Sequence, residues 1–397
     1  MQHSFSINQK RIGSIDLLRG LVMIIMALDH TRDFFHKEAF TGDPLDLATT
    51  TPFLYFTRWI THFCAPTFVF LSGLSAWLQG QRKSKKELSR FLITRGFWLV
   101  LAEITLITLG ITGDIYFGMF ILQTIWSIGI SMVILGLVVW LPFRAILAIG
   151  LLIVFGHNSI DFAEATREGN VPLWWNFLHL PTVVPLWGNH VLGIFYPFLP
   201  WTGLMMLGYC CGKLFSNTEP QRRNKILLVM GIGALLLFIV LRFIDKYGDP
   251  GHWKEQKNIL YSFLDFMDVQ KYPPSLFYIC ATIGGAFIFL AIVRNTTNRL
   301  AKIITIYGRV PFFYYIVHFY ILHSLSIIFY LVRGHSMEEG MKGVQGLPLK
   351  FIIPGEGYDL WVVYAIWFAV VIALYPLCKW YDNYKTNHKE KWWLSYL

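Results

Sequence analysis

Ser14-Ile15-Asp16-Leu17-Leu18-Arg19-Gly20-Leu21-Val22-Met23-Ile24-Ile25-Met26-Ala27-Leu28-Asp29-His30-Thr31-Arg32-Asp33-Phe34-Phe35 is the stretch that decides the fold. Its middle is apolar enough to enter a bilayer. Charge returns at Asp29, about 20 Å along the axis from Asp16 at about 1.5 Å per residue, where roughly 30 Å of hydrocarbon has not yet run out. Charged side chains at that depth are costly unless paired or wetted, so Asp29, His30, Arg32 and Asp33 read as a site rather than a helix end. At the near end, Asp16 and Arg19 lie three residues apart and read as a helix-start ion pair behind a Ser14 N-cap.

The rest of the chain agrees with a membrane setting. Of its 397 residues, 55% are hydrophobic, 17% aromatic and only 15% charged, which fits a polytopic membrane protein better than a soluble domain. The net charge of +10 resides in short loops between apolar stretches and forms no continuous basic face, so topology explains it and nucleic acid is excluded as a partner. The polar start has no cleavable signal. All five cysteines fall in apolar segments and no Cys/His spacing resembles a zinc site, so the expectation is no disulfide, no metal and no bound cofactor.

Apolar windows fall at Ile15–Phe35, Phe53–Gln79, Gly96–Thr112, Phe117–Trp140, Ala145–Ile160, Val191–Phe215, Ile226–Ile244, Ser275–Val293, Ile303–Val332 and Leu360–Trp380. They predict an all-α polytopic bundle of about ten transmembrane helices, forming a single integral-membrane domain over residues 1–397. The fifth window is short, and the ninth reads as broken or strongly tilted. With residues 1–14 and the basic tail 381–397 cytosolic, most of the 34 Lys and Arg residues fall inside, notably Arg82-Lys83-Ser84-Lys85-Lys86. That satisfies the positive-inside rule for a multi-pass protein of the cell (inner) membrane. The longer loops, with Pro172-Leu173-Trp174-Trp175 and His252-Trp253, then face outward.

This orientation lets depths be compared. His30 lies in the outer third of the first helix, and Arg58 and His62, at i and i+4, sit about 8 to 14 Å below the outer end of the second. His318 is mid to outer membrane on the ninth, with His323 a turn or so beyond. Histidine exchanges a proton near neutral pH, and a carboxylate three or four residues away can orient it. Asp29 and Asp33 are the candidates for that, with Arg32 close to both. Arg95 and Arg309, at the cytosolic mouths, are the candidates for gripping an anionic donor. Charge alone also admits a proton-coupled transporter with an Asp/His/Arg relay.

Ser14-Ile15-Asp16 through Arg19-Gly20, Met26 to Phe35, Pro66-Thr67-Phe68-Val69-Phe70-Leu71-Ser72-Gly73, Pro200-Trp201-Thr202-Gly203 through Gly208-Tyr209, Tyr272-Pro273-Pro274-Ser275-Leu276 and Gly308-Arg309-Val310-Pro311 through His318 together resemble bacterial membrane proteins of the heparan-alpha-glucosaminide N-acetyltransferase-like family. The resemblance implies a transmembrane acyltransferase that takes acetyl from cytosolic acetyl-CoA and passes it to a glycan or amino-sugar acceptor on the far side. It also implies a histidine near the extracytoplasmic side. The lysosomal members have asparagine at the place matching His30 and their histidine in the following loop, where this chain has His36. The expected assignment is His30 as base or acyl carrier, oriented by Asp29 or Asp33, with His62 completing the catalytic group. Arg32, Arg58, His318 and His36 are expected at the acceptor, and Arg95 and Arg309 at the CoA phosphates. The acceptor's identity and the oligomeric state stay open.

Overall fold

A computed structural model describes residues 12–166, 171–293 and 298–395. The described chain is mostly helical. In order it runs α1 (Gly13–Phe35), α2 (Pro52–Ile60), α3 (Cys64–Gly80), α4 (Lys85–Ala102), α5 (Thr108–Thr112), α6 (Thr124–Val138), α7 (Phe143–Gly156), α8 (Asn158–Ala165), α9 (Leu173–Leu178), α10 (Leu199–Asn217) and α11 (Pro220–Ile244). It continues with α12 (Ile259–Met267), α13 (Leu276–Ile292), α14 (Arg299–Arg309), α15 (Pro311–Val332), α16 (Met337–Lys342) and α17 (Leu360–Asn387).

Several of these helices are long and apolar, as in a membrane protein. Among the described residues, five runs are long and apolar enough to cross a bilayer: Pro52–Gly80, Lys85–Thr112, Pro220–Ile244, Pro311–Val332 and Leu360–Asn387. A sixth is added if α7 and α8, bent by 41°, form one span. Length and composition thus support five or six spans against the expected ten or so. The remaining windows are α6 and α13, which are shorter apolar helices, α10, and α1, which is long but carries Asp16, Arg19, Asp29, Arg32 and Asp33.

Two windows change character at their first residues. Met119–Leu122 (β1) and Val191–Ile194 (β3) pair in parallel, and Thr182–Pro185 (β2) joins β3 antiparallel, giving the order β1-β3-β2. This small sheet corrects the all-α expectation. Four apolar residues carry too little periodicity to separate a strand from a helix start. The ninth window breaks at Val310, where α14 ends and Pro311 starts α15. Ser14 is not the N-cap: α1 begins at Gly13 behind Ile12.

Glycines set the tightest crossings. A Cβ on Gly20 would run into the Ile304 backbone and one on Gly308 into the Asp16 backbone, so α1 and α14 touch main chain to main chain. Gly73 and Gly208 do the same for α3 and α10. Close approach through small residues is how helices associate where no water drives them together. The Asp16–Arg19 pair takes part as well: Arg19 bonds Asp16 (3.2 Å), the Gly308 carbonyl (3.1 Å) and Ser75 (3.0 Å), joining α1, α14 and α3.

Pro66 shapes the second span. It has no N–H for the carbonyl of His62 four residues back, and the chain tightens into a 3-10 turn at Thr61–Phe63. The Tyr278 hydroxyl donates to that carbonyl instead (2.9 Å), so α13 closes the bond that proline opens.

Candidate active site

The far end of α1 faces a cavity of about 290 Å³. Its wall is polar on one side, with Asp29, His30, Arg32, Asp33, Arg58, Lys271 and Tyr272, and apolar on the other, with Met26, Phe68, Ile111 and Phe195 among others. α1, the 3-10 break, α15 and the loop before α13 all contribute, so the site forms only when distant parts of the chain pack.

His30 Nδ1 lies 2.7 Å from His318 Nε2. His318 Nδ1 lies 3.2 Å from the Tyr314 carbonyl, which can only accept, so a neutral His318 carries its proton on Nδ1 and offers Nε2 as a lone pair. His30 must then donate from Nδ1. Its basic nitrogen is therefore Nε2, on a ring that lines the cavity. Phe319 stacks on that ring at 4.4 Å and restricts its tilt. The group that orients His30 is thus a second histidine held by a carbonyl, where an aspartate was expected.

The aspartates are engaged elsewhere. Arg58 donates to Asp29 Oδ2 at 2.6 Å, Arg32 Nη2 lies 3.2 Å from Asp29 Oδ1, and Arg32 also binds Asp33 at 2.6 Å. Four charges, two of each sign, interlock beside His30. Pairing offsets the cost of keeping them in the bundle, and removing one partner would strand another.

Tyr272 extends the polar wall. Its side chain lines the cavity together with those of Arg58, Lys271 and Tyr196. Burial opposes its ionisation, but the Lys271 and Arg58 charges outweigh burial and hold its pKa below the ordinary phenol value. Behind the opposite wall, Glu103 is fully buried in a π-helical turn, Glu103–Ile107, and accepts from the Gln123 N–H at 3.1 Å. It thereby braces the start of α6 where Gln123 and Thr124 line the cavity.

The other expected residues are dispersed. His62 is buried between Trp59 and Tyr278, is not among the lining residues, and has no hydrogen-bond partner at either ring nitrogen among the described residues. His36 caps α1, bridges to Tyr358 and lines an adjacent cavity of about 470 Å³ with Arg32, Asp33 and Glu38. Burial lowers its pKa. Arg309 pairs with Asp382 at 3.2 Å, and Arg95 lies over Phe91; neither lines the cavity at His30.

Lys271, Tyr272 and Glu103 were not anticipated. Lys271 and Tyr272 sit in a loop, outside any apolar window, although Tyr272 opens one of the motifs quoted above. Glu103 had a usable signal, as a lone carboxylate in the middle of an apolar window.

The family model described as heparan-alpha-glucosaminide N-acetyltransferase, catalytic, matches residues 11–243, more than half of the chain. Asp29, His30, Arg32, Asp33 and Arg58 lie inside that stretch, while Lys271, Tyr272 and His318 lie beyond it. No curated protein matches the chain. With several long apolar helices and a catalytic-domain match of this extent, the chain belongs to the heparan-alpha-glucosaminide N-acetyltransferase family.

Proposed function

We propose that the protein transfers an acetyl group from acetyl-CoA to an amine or hydroxyl of a sugar acceptor, with His30 as the base or transient acyl carrier. The observation that carries this reading is the 2.7 Å His30–His318 contact on the wall of a cavity that also holds Arg58, Lys271 and Tyr272. Family membership favours acyl transfer over a proton-coupled transporter.

In direct transfer, His30 Nε2 takes the acceptor's proton as the acceptor N or O bonds to the thioester carbon. The carbonyl electron pair moves to oxygen, where Arg58, Lys271 and the Tyr272 hydroxyl supply positive charge and donors. Collapse restores the carbonyl, breaks the C–S bond and returns the proton from His30 to the departing thiolate. In the two-step route Nε2 itself bonds to the acyl carbon as the C–S bond breaks and CoA leaves as the thiolate. The acceptor N or O then attacks the acetyl-imidazole, the bond from the acyl carbon to Nε2 breaks, and the freed Nε2 takes the acceptor's proton. Either way positive charge grows on His30, with Asp29 and Asp33 to stabilise it.

In this reading both termini lie in the cytosol and His30 toward the far side. A cavity of about 990 Å³ at the start of α1, lined by Gly13, Ser14, Arg223 and Lys225 among others, suits the donor's phosphates. Ser14 lies about 24 Å from His30 at 1.5 Å per residue, so the donor's acyl-bearing arm would run along α1. Arg95 and Arg309 would serve the same cytosolic side.

The test is radiolabelled acetyl-CoA with glucosamine, using purified protein in detergent. Acetylated sugar and free CoA should appear in equal amounts with wild type and not with His30→Ala. Equal product from wild type, His30→Ala and empty micelles would overturn the proposal.

A further inference from the structure

We propose that Asp161, Glu164 and His179 bind a divalent metal ion of the zinc class, outside the cavity at His30. One donor atom from each lies within 4.8 Å of the other two. His179 Nδ1 is 3.0 Å from Glu164 Oε1, close to the roughly 3.3 Å that separates neighbouring ligands around tetrahedral zinc with bonds of about 2.0 to 2.2 Å. Asp161 and Glu164, three apart on α8, share a face, and His179 follows α9, so the ion would clamp one short helix to the other.

Each of the three residues is also held by a neighbouring side chain. The Trp175 indole N–H bonds Glu164 Oε1 at 2.7 Å, the Asn158 amide bonds Asp161 Oδ2 at 2.7 Å, and His157 Nδ1 faces His179 Nε2 at 3.3 Å. Outer partners of this kind fix a ligating ring's tautomer and orientation. A metal on His179 Nδ1 places that ring's proton on Nε2, where His157 Nδ1 accepts it.

The same residues do not make a useful proton relay. The Glu164–His179–His157 chain ends at His157 Nε2, which is buried and without a partner among the described residues. A relay ending there has nowhere to deliver a proton, whereas a metal support needs no outlet. Two carboxylates this close also repel each other unless a proton or cation joins them. The imidazole donor favours zinc over calcium or magnesium, which prefer oxygen-only sites. Sequence spacing concealed the site because its ligands come from one helix and from the residue that ends another, and include no cysteine.

The test uses tag-free, full-length protein in detergent, stripped with chelator and titrated with Zn²⁺ against a chromophoric competitor. The expected result is about one zinc per chain at micromolar affinity or tighter. His157→Ala should weaken binding about 10- to 100-fold, and His179→Ala and Asp161→Asn should weaken it at least as much. Should His179→Ala fail to fold, Asp161→Asn, on a half-exposed residue, decides the matter. No uptake by wild type overturns the proposal. So does uptake unchanged in Asp161→Asn, which would assign the zinc to an exposed pair such as His252–Asp245 or His335–Glu356. Acetyl transfer is not the readout, so the outcome does not depend on the proposed function.

Discussion

Among the described residues two pairs of histidines touch, and they are built differently. His30 and His318 meet inside the bundle with a backbone carbonyl behind them, so the free nitrogen of His30 is left for a cavity. His157 and His179 meet between α7 and α9 with the Glu164 carboxylate behind them, and the chain ends at a buried nitrogen. The nearest acceptor behind each pair differs accordingly. A carbonyl orients a neutral ring without adding charge, which suits a base that must give its proton back. A carboxylate raises ligand strength, which suits a ring that holds a cation.

The largest effect should fall on the first pair. His30→Ala is expected to lower kcat/KM for acetyl transfer by about 10²- to 10⁴-fold while leaving zinc uptake unchanged. The His30→Ala/His318→Ala double variant should be no slower than His30→Ala alone, because His318 acts through His30. Additive losses in steady-state kinetics would break the proposed link.

Stability should separate the regions next. Arg58→Ala leaves Asp29 with Arg32 alone and is expected to cost about 3 to 5 kcal/mol, read from unfolding in detergent, with part recovered by adding Asp29→Asn. Tyr278→Phe should cost about 1 to 3 kcal/mol, because the His62 carbonyl loses its replacement donor. In metal-stripped protein, Glu164→Gln should cost only about 0.5 to 1.5 kcal/mol, since the amide oxygen can still accept from Trp175. A Glu164→Gln loss equal to that of Arg58→Ala would erase the distinction between the two surroundings.

A pH dependence is expected from the loop between α12 and α13. Burial, with Asp43 and Asp249 nearby, pushes the Asp268 carboxyl up to about 6 from an ordinary 3.8. Its folded pKa exceeds its unfolded one, so protonation stabilises the fold fully below about pH 4, and that stability is lost as pH rises through 6. Asp268→Asn should flatten this part of the stability profile. An unchanged slope between pH 4 and 7 would remove Asp268 from the account.

Reading depth along the first, second and ninth windows brought Asp29, His30, Arg58 and His318 together, because their positions along straight helices follow from residue counting. Counting fails where the helix is not regular. His62 shares a face with Arg58 only on an unbroken α-helix, and the 3-10 turn before Pro66 turns it away from the cavity. Lys271 and Tyr272 reach the site through loop packing, which no periodicity encodes. The strands at Met119 and Val191 look in sequence like the starts of helices, and only their pairing distinguishes them.

The central claim is that His30, and not His36, handles the proton or the acyl group. Acetyl transfer by His30→Ala and His36→Ala, measured side by side at saturating acetyl-CoA with folding checked by thermal unfolding, tests it most directly. The account predicts a loss of at least about 100-fold for His30→Ala and near wild-type turnover for His36→Ala. Retained activity in His30→Ala together with loss in His36→Ala would contradict it and move the chemistry to the adjacent cavity.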